Sequence, residues 1–137
     1  MANVTVQSKE NLRQEITSGE NTITADEPIA SGGTDMGFDP YSLLLAALGA
    51  CTAMTLKLYA RQKNWDLRDV NVQLTHDRIY AQDCKDCETK EGKLDRIQRK
   101  VQLEGNLSPE QRQRLLEIAK RCPVHRTLTS EITIVDI

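Results

Sequence analysis

The sequence has no excess of charge of one sign: 18 Lys and Arg stand against 20 Asp and Glu, for a formal net charge of -2. A field of one sign is what holds a polyanion or an anionic bilayer, so nucleic acid and membrane surfaces are excluded as first expectations for partners. An uninterrupted apolar run is also missing. The longest stretch, Leu43 to Leu56, already contains Gly49, Cys51, Thr52 and Thr55 and falls short of the ~20 residues a bilayer requires, so it reads as a buried helix rather than a membrane span. The opening Met1-Ala2-Asn3-Val4-Thr5-Val6 has neither the basic stretch nor the apolar core of a secretory signal, and the expected location is the cytoplasm. There is no G-x-S-x-G elbow to make a serine nucleophile, and no G-K-[ST] follows the glycines at positions 32 to 37 to make a phosphate loop.

What is present fits one domain, residues 1–137, long enough for a hydrophobic core. Period-two alternation in Val4-Thr5-Val6, Leu12 to Ile16 and Thr22 to Ala25 predicts three short strands, with Ser18-Gly19-Glu20-Asn21 turning between the last two. Residues 26 to 39, with Pro28, Gly32, Gly33, Gly37 and Asp39, read as an ordered loop. Asp39 as N-cap and Pro40 at the first helical position predict a helix from Pro40 to Lys63, about 36 Å long. Its apolar and small residues cover every face, which calls for neighbours on all sides. A lone domain of this size can hardly supply them, so a homodimer is expected, with Ala46, Ala47, Gly49, Ala50 and Ala53 permitting close helix contact. Alternation about Val70, Val72 and Leu74, and about Ile97, Val101 and Leu103 around Arg99, predicts two longer antiparallel strands separated by a polar loop, Ala81 to Gly92. Ser108-Pro109-Glu110-Gln111 is a capping box for a second helix carrying Leu115, Ile118, Ala119 and Cys122 on its apolar face. Glu131 to Ile137 reads as a closing strand.

Four cysteines in a reducing compartment are better read as reactive, metal-binding or buried than as a disulfide framework. Cys51 lies on the stripe Leu44, Leu48, Cys51, Thr55, Leu58 of the long helix, where a small core residue and a nucleophile are both compatible with its position. Cys122 precedes Pro123, which can start a new helical turn through Val124-His125-Arg126. That would set the sulfur at a helix N-terminus beside Arg121, His125 and Arg126, an arrangement that favours a thiolate; a plain helix end before a proline stop is the other reading. Cys84 and Cys87 form a C-x2-C pair in the polar loop, compatible with half a zinc site, a redox dithiol or an incidental exposed pair. His76 continues the strand alternation and is expected to be half-buried; His125, three residues past Cys122, either orients that thiol or lies in an exposed turn.

The run Asp39-Pro40-Tyr41-Ser42-Leu43-Leu44-Leu45-Ala46-Ala47-Leu48-Gly49-Ala50-Cys51-Thr52-Ala53-Met54-Thr55-Leu56, followed by Arg121-Cys122-Pro123-Val124-His125, resembles the OsmC/Ohr family of osmotically inducible and organic hydroperoxide resistance proteins. The order of elements is similar over nearly the whole chain. The resemblance implies an α+β fold in which antiparallel strands wrap around a long central helix and a second helix, in an intertwined homodimer with each active site at the subunit interface. It implies a thiol-dependent peroxidase that uses no bound cofactor or metal. Cys51 would attack a small-molecule peroxide, Cys122 would resolve the sulfenic acid as a disulfide, and a dithiol reductant would restore both thiols. Family peroxidases usually carry a glutamate nine residues before the first cysteine, holding an arginine against the thiolate; here that position is Ser42, and Arg13 is the best candidate for the arginine. A non-enzymatic redox-responsive or small-ligand-binding dimer is the alternative that Ser42 favours.

Overall fold

Threonine, valine and isoleucine alternating with polar residues build an antiparallel meander at the start of the chain. The computed structural model describes all of residues 1–137. It places β1 at Thr5–Ser8, β2 at Gln14–Ser18 and β3 at Asn21–Ala25, in the order β1-β2-β3. Ile16 faces Val6 on one side and Ile23 on the other. The turn before β3 falls where expected, whereas β2 begins two residues later than the alternation from Leu12 suggested, because Lys9 and Arg13 close a backbone turn ahead of it. These strands belong to the first of two compact units, Met1–Leu44 and Leu45–Ile137.

The loop after β3 is ordered around Asp26, a buried carboxylate. It accepts the hydroxyl of Thr34 at 2.7 Å and the backbone N–H groups of Glu27 at 2.8 Å, Met36 at 3.2 Å and Thr34 at 3.3 Å. Two glycines let the chain fold back on itself here: a Cβ on Gly33 would lie 2.0 Å from the Glu27 carbonyl oxygen, and one on Gly37 2.2 Å from that of Thr24. The Thr34 hydroxyl, reinforced by the N–H donors and opposed by burial, holds the Asp26 carboxyl below the usual carboxylate range. A depressed carboxyl stabilises the fold above its unfolded pKa, about 3.9, and that stabilisation is lost as pH falls through the folded value. Asp26→Asn is therefore expected to lower the neutral-pH melting temperature by roughly 5 °C and to flatten its decline below about pH 4, as read by circular dichroism.

The long helix α1 spans Pro40–Lys63, the range the proline start signal predicts. Its 24 residues are long and apolar enough to cross a membrane by length and composition, more than the Leu43–Leu56 stretch alone indicated. In this fold its buried residues are Leu48, Gly49, Thr52, Leu56 and Ala60. The expected stripe is thus rotated: Leu44 and Leu58 are exposed, and Cys51 sits half-buried at its border. The reason is close contact with the second sheet, where a Cβ on Gly49 would come within 2.8 Å of the Leu74 side chain.

That sheet is a long hairpin of β4, Asp66–Tyr80, and β5, Lys93–Asn106. Its register runs from Asp66 opposite Asn106 to Tyr80 opposite Lys93, with one irregularity at Leu67/Asp69. Near its base a Cβ on Gly105, where φ is +152°, would lie 1.8 Å from the Asp66 carbonyl oxygen, so only glycine closes this end. Helix α2, Pro109–Ala119, starts with the expected capping box: Ser108 accepts the Gln111 N–H, and the Gln111 side chain accepts that of Ser108. Leu56 and Ala60 of α1 pack with Leu115, Ile118 and Ala119 of α2, flanked by Tyr59, Trp65, Val70, Val101 and Leu103.

Two expectations are corrected. Helix α2 ends at Ala119, so Cys122 does not ride on it; the chain makes one further turn and Cys122 opens a separate short helix, α3, Pro123–Leu128. Residues 131 to 137 form no strand. Ile132, Ile134, Val135 and Ile137 are exposed, since a strand exists only where a neighbouring edge pairs with it, and this chain presents none to the tail.

Candidate functional site

Proline after Cys122 does what its geometry favours. Cys122 is extended, with φ -63° and ψ 141°, and serves as the N-cap of α3, its sulfur accepting the His125 N–H at 3.3 Å. The side chain has no accessible surface. Its other polar neighbour is Thr52 of α1, whose Oγ1 lies 3.8 Å from the Cys122 sulfur. Thr52, also fully buried, donates its hydroxyl to the Leu48 carbonyl at 2.7 Å and accepts an N–H of Arg99 at 3.0 Å. A hydroxyl has one hydrogen and two lone pairs. With the hydrogen directed to Leu48 and one lone pair facing Arg99, the remaining lone pair suits the S–H of Cys122.

Cys51 precedes Thr52, and successive residues on a helix project about 100° apart. The structure therefore brings the neighbour of Cys51, rather than Cys51 itself, into contact with Cys122. Both are free thiols, one half-buried and the other sealed. A cavity of about 410 Å³ is lined by Leu48 and Arg99, which hold Thr52, by His125, which bonds the Cys122 sulfur, and by Asp95, Ile97, Leu128 and Thr129; neither cysteine lines it. Burial, followed by the nearby charges of Arg99 and Lys120, pushes the His125 imidazole below its ordinary value, so it faces the cavity neutral at pH 7. His76 is half-buried, as its strand position suggested, and its Nε2 lies 2.9 Å from Asp95.

Arg99 is the residue that sequence reasoning passed over. It stands on β5 at the inward parity of Ile97, Val101 and Leu103, a position the alternation reserves for an apolar side chain, and that parity was the available signal. The sequence candidate, Arg13, is held elsewhere: its guanidinium grips Glu10 through Nε at 2.7 Å and through a second nitrogen at 3.1 Å. Ser42 donates its hydroxyl to Asp39 at the start of α1 and its N–H to the same carboxylate at 3.3 Å, so it acts as part of the helix cap. Cys84 and Cys87 are joined as a disulfide, with a Cα separation of 5.5 Å, and no group of three His, Cys, Asp or Glu residues gathers in the molecule to hold a metal ion.

Among solved structures, the chain resembles an OsmC-like protein from Mycoplasma pneumoniae at 24% identity and TM-score 0.73, over 93% of this chain and 86% of the other. It resembles the organic hydroperoxide resistance protein OhrB of Bacillus subtilis at 23% identity and TM-score 0.61, over 94% and 90%. A third likeness, at 17% identity and TM-score 0.66 over 94% and 89%, is to an organic hydroperoxide resistance protein OsmC from Legionella pneumophila, described as a predicted redox protein. At these identities the likeness establishes the fold, an α+β arrangement of antiparallel sheets and a long helix. No curated protein sequence matches. The family model for OsmC-like proteins accounts for residues 32–135, which takes in the long helix, both thiols and the Arg99 strand, and the chain belongs to the OsmC-like family.

Proposed function

We propose that this protein is a thiol-dependent peroxidase, reducing organic hydroperoxides or hydrogen peroxide through Cys51 and Cys122. The observation that carries the reading is the Thr52 contact, which sets the residue next to Cys51 against the Cys122 sulfur, with the partners of that contact, Leu48, Arg99 and His125, lining a cavity. The Cys51 thiolate attacks a peroxide oxygen; the O–O bond breaks, the sulfur becomes a sulfenic acid, and the alkoxide leaves as an alcohol after taking a proton. The Cys122 thiol then attacks that sulfur, forming the disulfide and releasing water. A dithiol reductant returns both thiols by exchange. The enclosure of Cys122 suits this division of labour, since a sulfur with no accessible surface is shielded from peroxide and kept for the resolving step. Arg99 acts as a positioning residue, holding the Thr52 oxygen and keeping positive charge beside the sulfurs.

The working form in this reading is one OsmC-like domain, residues 1–137, paired as a cytoplasmic homodimer without a bound cofactor. Met54 and Leu58 leave one flank of α1 65% and 53% exposed, and the tail from 131 to 137 has no sheet partner. Both are surfaces that a second copy would cover.

Mass spectrometry of the reduced protein after substoichiometric cumene hydroperoxide is expected to find a Cys51–Cys122 disulfide within the mixing time. Arg99→Met is expected to slow its formation about tenfold or more, with Arg99→Lys recovering part of the rate. Unmodified Cys51 and Cys122 would overturn the reading. They would instead favour a non-enzymatic redox-responsive or ligand-binding dimer, for which the capping role of Ser42 is the supporting observation.

A further inference from the structure

The sulfur pair at the far end of the hairpin has no part in the scheme so far. Cys84 and Cys87 lie in the loop between β4 and β5, half-buried, with exposed Lys85 and Asp86 between them. The fold gives their bond little structural work. The hairpin register is already fixed as far as Tyr80 and Lys93, and the loop end is held by the Ala81 N–H on the Gly92 carbonyl and by Lys90 on the Lys85 carbonyl. A bridge across two intervening residues removes little chain entropy, because the loop it closes is so short. A disulfide at an exposed tip also meets every dithiol in solution, so in a reducing compartment it would open and close repeatedly.

We propose that Cys84 and Cys87 form a second redox centre, which takes reducing equivalents from an external dithiol and passes them to the Cys51–Cys122 disulfide of another copy of this chain. The second step rests on the peroxidase reading. Transfer within one chain is excluded by length: six ladder positions separate Arg99 from Lys93, about 20 Å of strand, and the cysteine loop lies beyond them. In the first step an external dithiol opens the Cys84–Cys87 bond and leaves as its own disulfide, its two protons passing to the two thiols. In the second, a thiolate of the pair attacks the Cys51–Cys122 bond to give a mixed disulfide. The other thiol of the pair then displaces it, restoring the Cys84–Cys87 bond and leaving Cys51 and Cys122 as thiols. One disulfide is consumed and one formed at each step, so electrons balance.

The test is a titration of fully reduced protein with cumene hydroperoxide and no added reductant. The wild type is expected to consume two equivalents per chain, closing both disulfides, and the Cys84→Ser/Cys87→Ser variant one. Cys51→Ser is expected to consume none, with Cys84 and Cys87 still thiols. The relay is overturned if the wild type stops at one equivalent with Cys84 and Cys87 reduced, or if Cys51→Ser closes the pair as fast as the wild type. A peroxide-free arm separates the two claims. The Cys84→Ser/Cys87→Ser chain, its Cys51–Cys122 disulfide formed with diamide, is mixed under native conditions with reduced Cys51→Ser/Cys122→Ser chain. Movement of the disulfide to Cys84 and Cys87 without peroxide turnover in the titration would retain the relay and remove the peroxidase reading. Turnover without that movement would do the reverse.

Discussion

Cys51→Ser is expected to lower kcat/KM for cumene hydroperoxide about a thousandfold or more, to the level of protein-free buffer with the same dithiol. Sulfur attacks peroxide oxygen as a thiolate, and a serine hydroxyl is neither ionised near neutral pH nor soft enough to replace it. The substitution is nearly isosteric at a half-buried site, so the melting temperature should stay within a few degrees of the wild type and loss of activity cannot be attributed to unfolding. Cys122→Ser should behave differently. Its first turnover remains, because the attacking sulfur is intact, but with Cys84 and Cys87 held as their disulfide the sulfenic acid meets no resolving thiol. Intact-mass measurement should then find chains one oxygen heavier, and two or three oxygens heavier as peroxide is raised. A Cys51→Ser protein with wild-type turnover would remove Cys51 from the mechanism.

The largest stability effect is expected from Leu56→Ala. Leu56 has no accessible surface and joins α1 to Leu115, Ile118 and Ala119 of α2. Removing three carbons from such a position leaves a cavity that rigid neighbours only partly fill, costing about 2–5 kcal/mol. In a chain of this size that corresponds to a fall of roughly 10 °C in Tm, and to a shifted urea midpoint with unchanged slope. Met54→Ala, two residues earlier on the exposed flank, should leave chain stability almost unaltered. Its effect should instead appear in sedimentation as weaker self-association. A comparable loss of stability in both variants would mean that the α1–α2 contact is not the core of the molecule.

The parts of the fold that could be read from the sequence are those written in neighbouring residues. Pro40 after Asp39 marks the start of α1, and Ser108 with Gln111 marks that of α2, because caps are satisfied by hydrogen bonds three or four positions apart. The two-residue turn into β3 and the extended Cys122 before Pro123 are local in the same sense. Features that depend on distant residues were harder to read. Thr52 meets Cys122 across 70 positions, and neither residue carries a sign of the other. The buried stripe of α1 is set by where Gly49 lets the helix settle on Leu74, which a helix rich in apolar residues on every side does not reveal. The tail has the alternation of a strand, but pairing is a property of two segments, and neither sheet of this chain takes it in. Arg99 was discernible only by counting parity along β5, where an inward charge has no explanation until a buried hydroxyl is found opposite it.

The complete enclosure of Cys122 makes this sulfur a clock. An alkylating dye large enough to be excluded from the folded chain can reach it only while the short helix it caps has come undone, so the labelling rate in Cys84→Ser/Cys87→Ser protein reports how often that corner opens. Half-buried Cys51 would be tagged ahead of it. A single time course of singly and doubly labelled mass would thus separate breathing of the surface from opening of the interior, using only sulfurs the chain already carries.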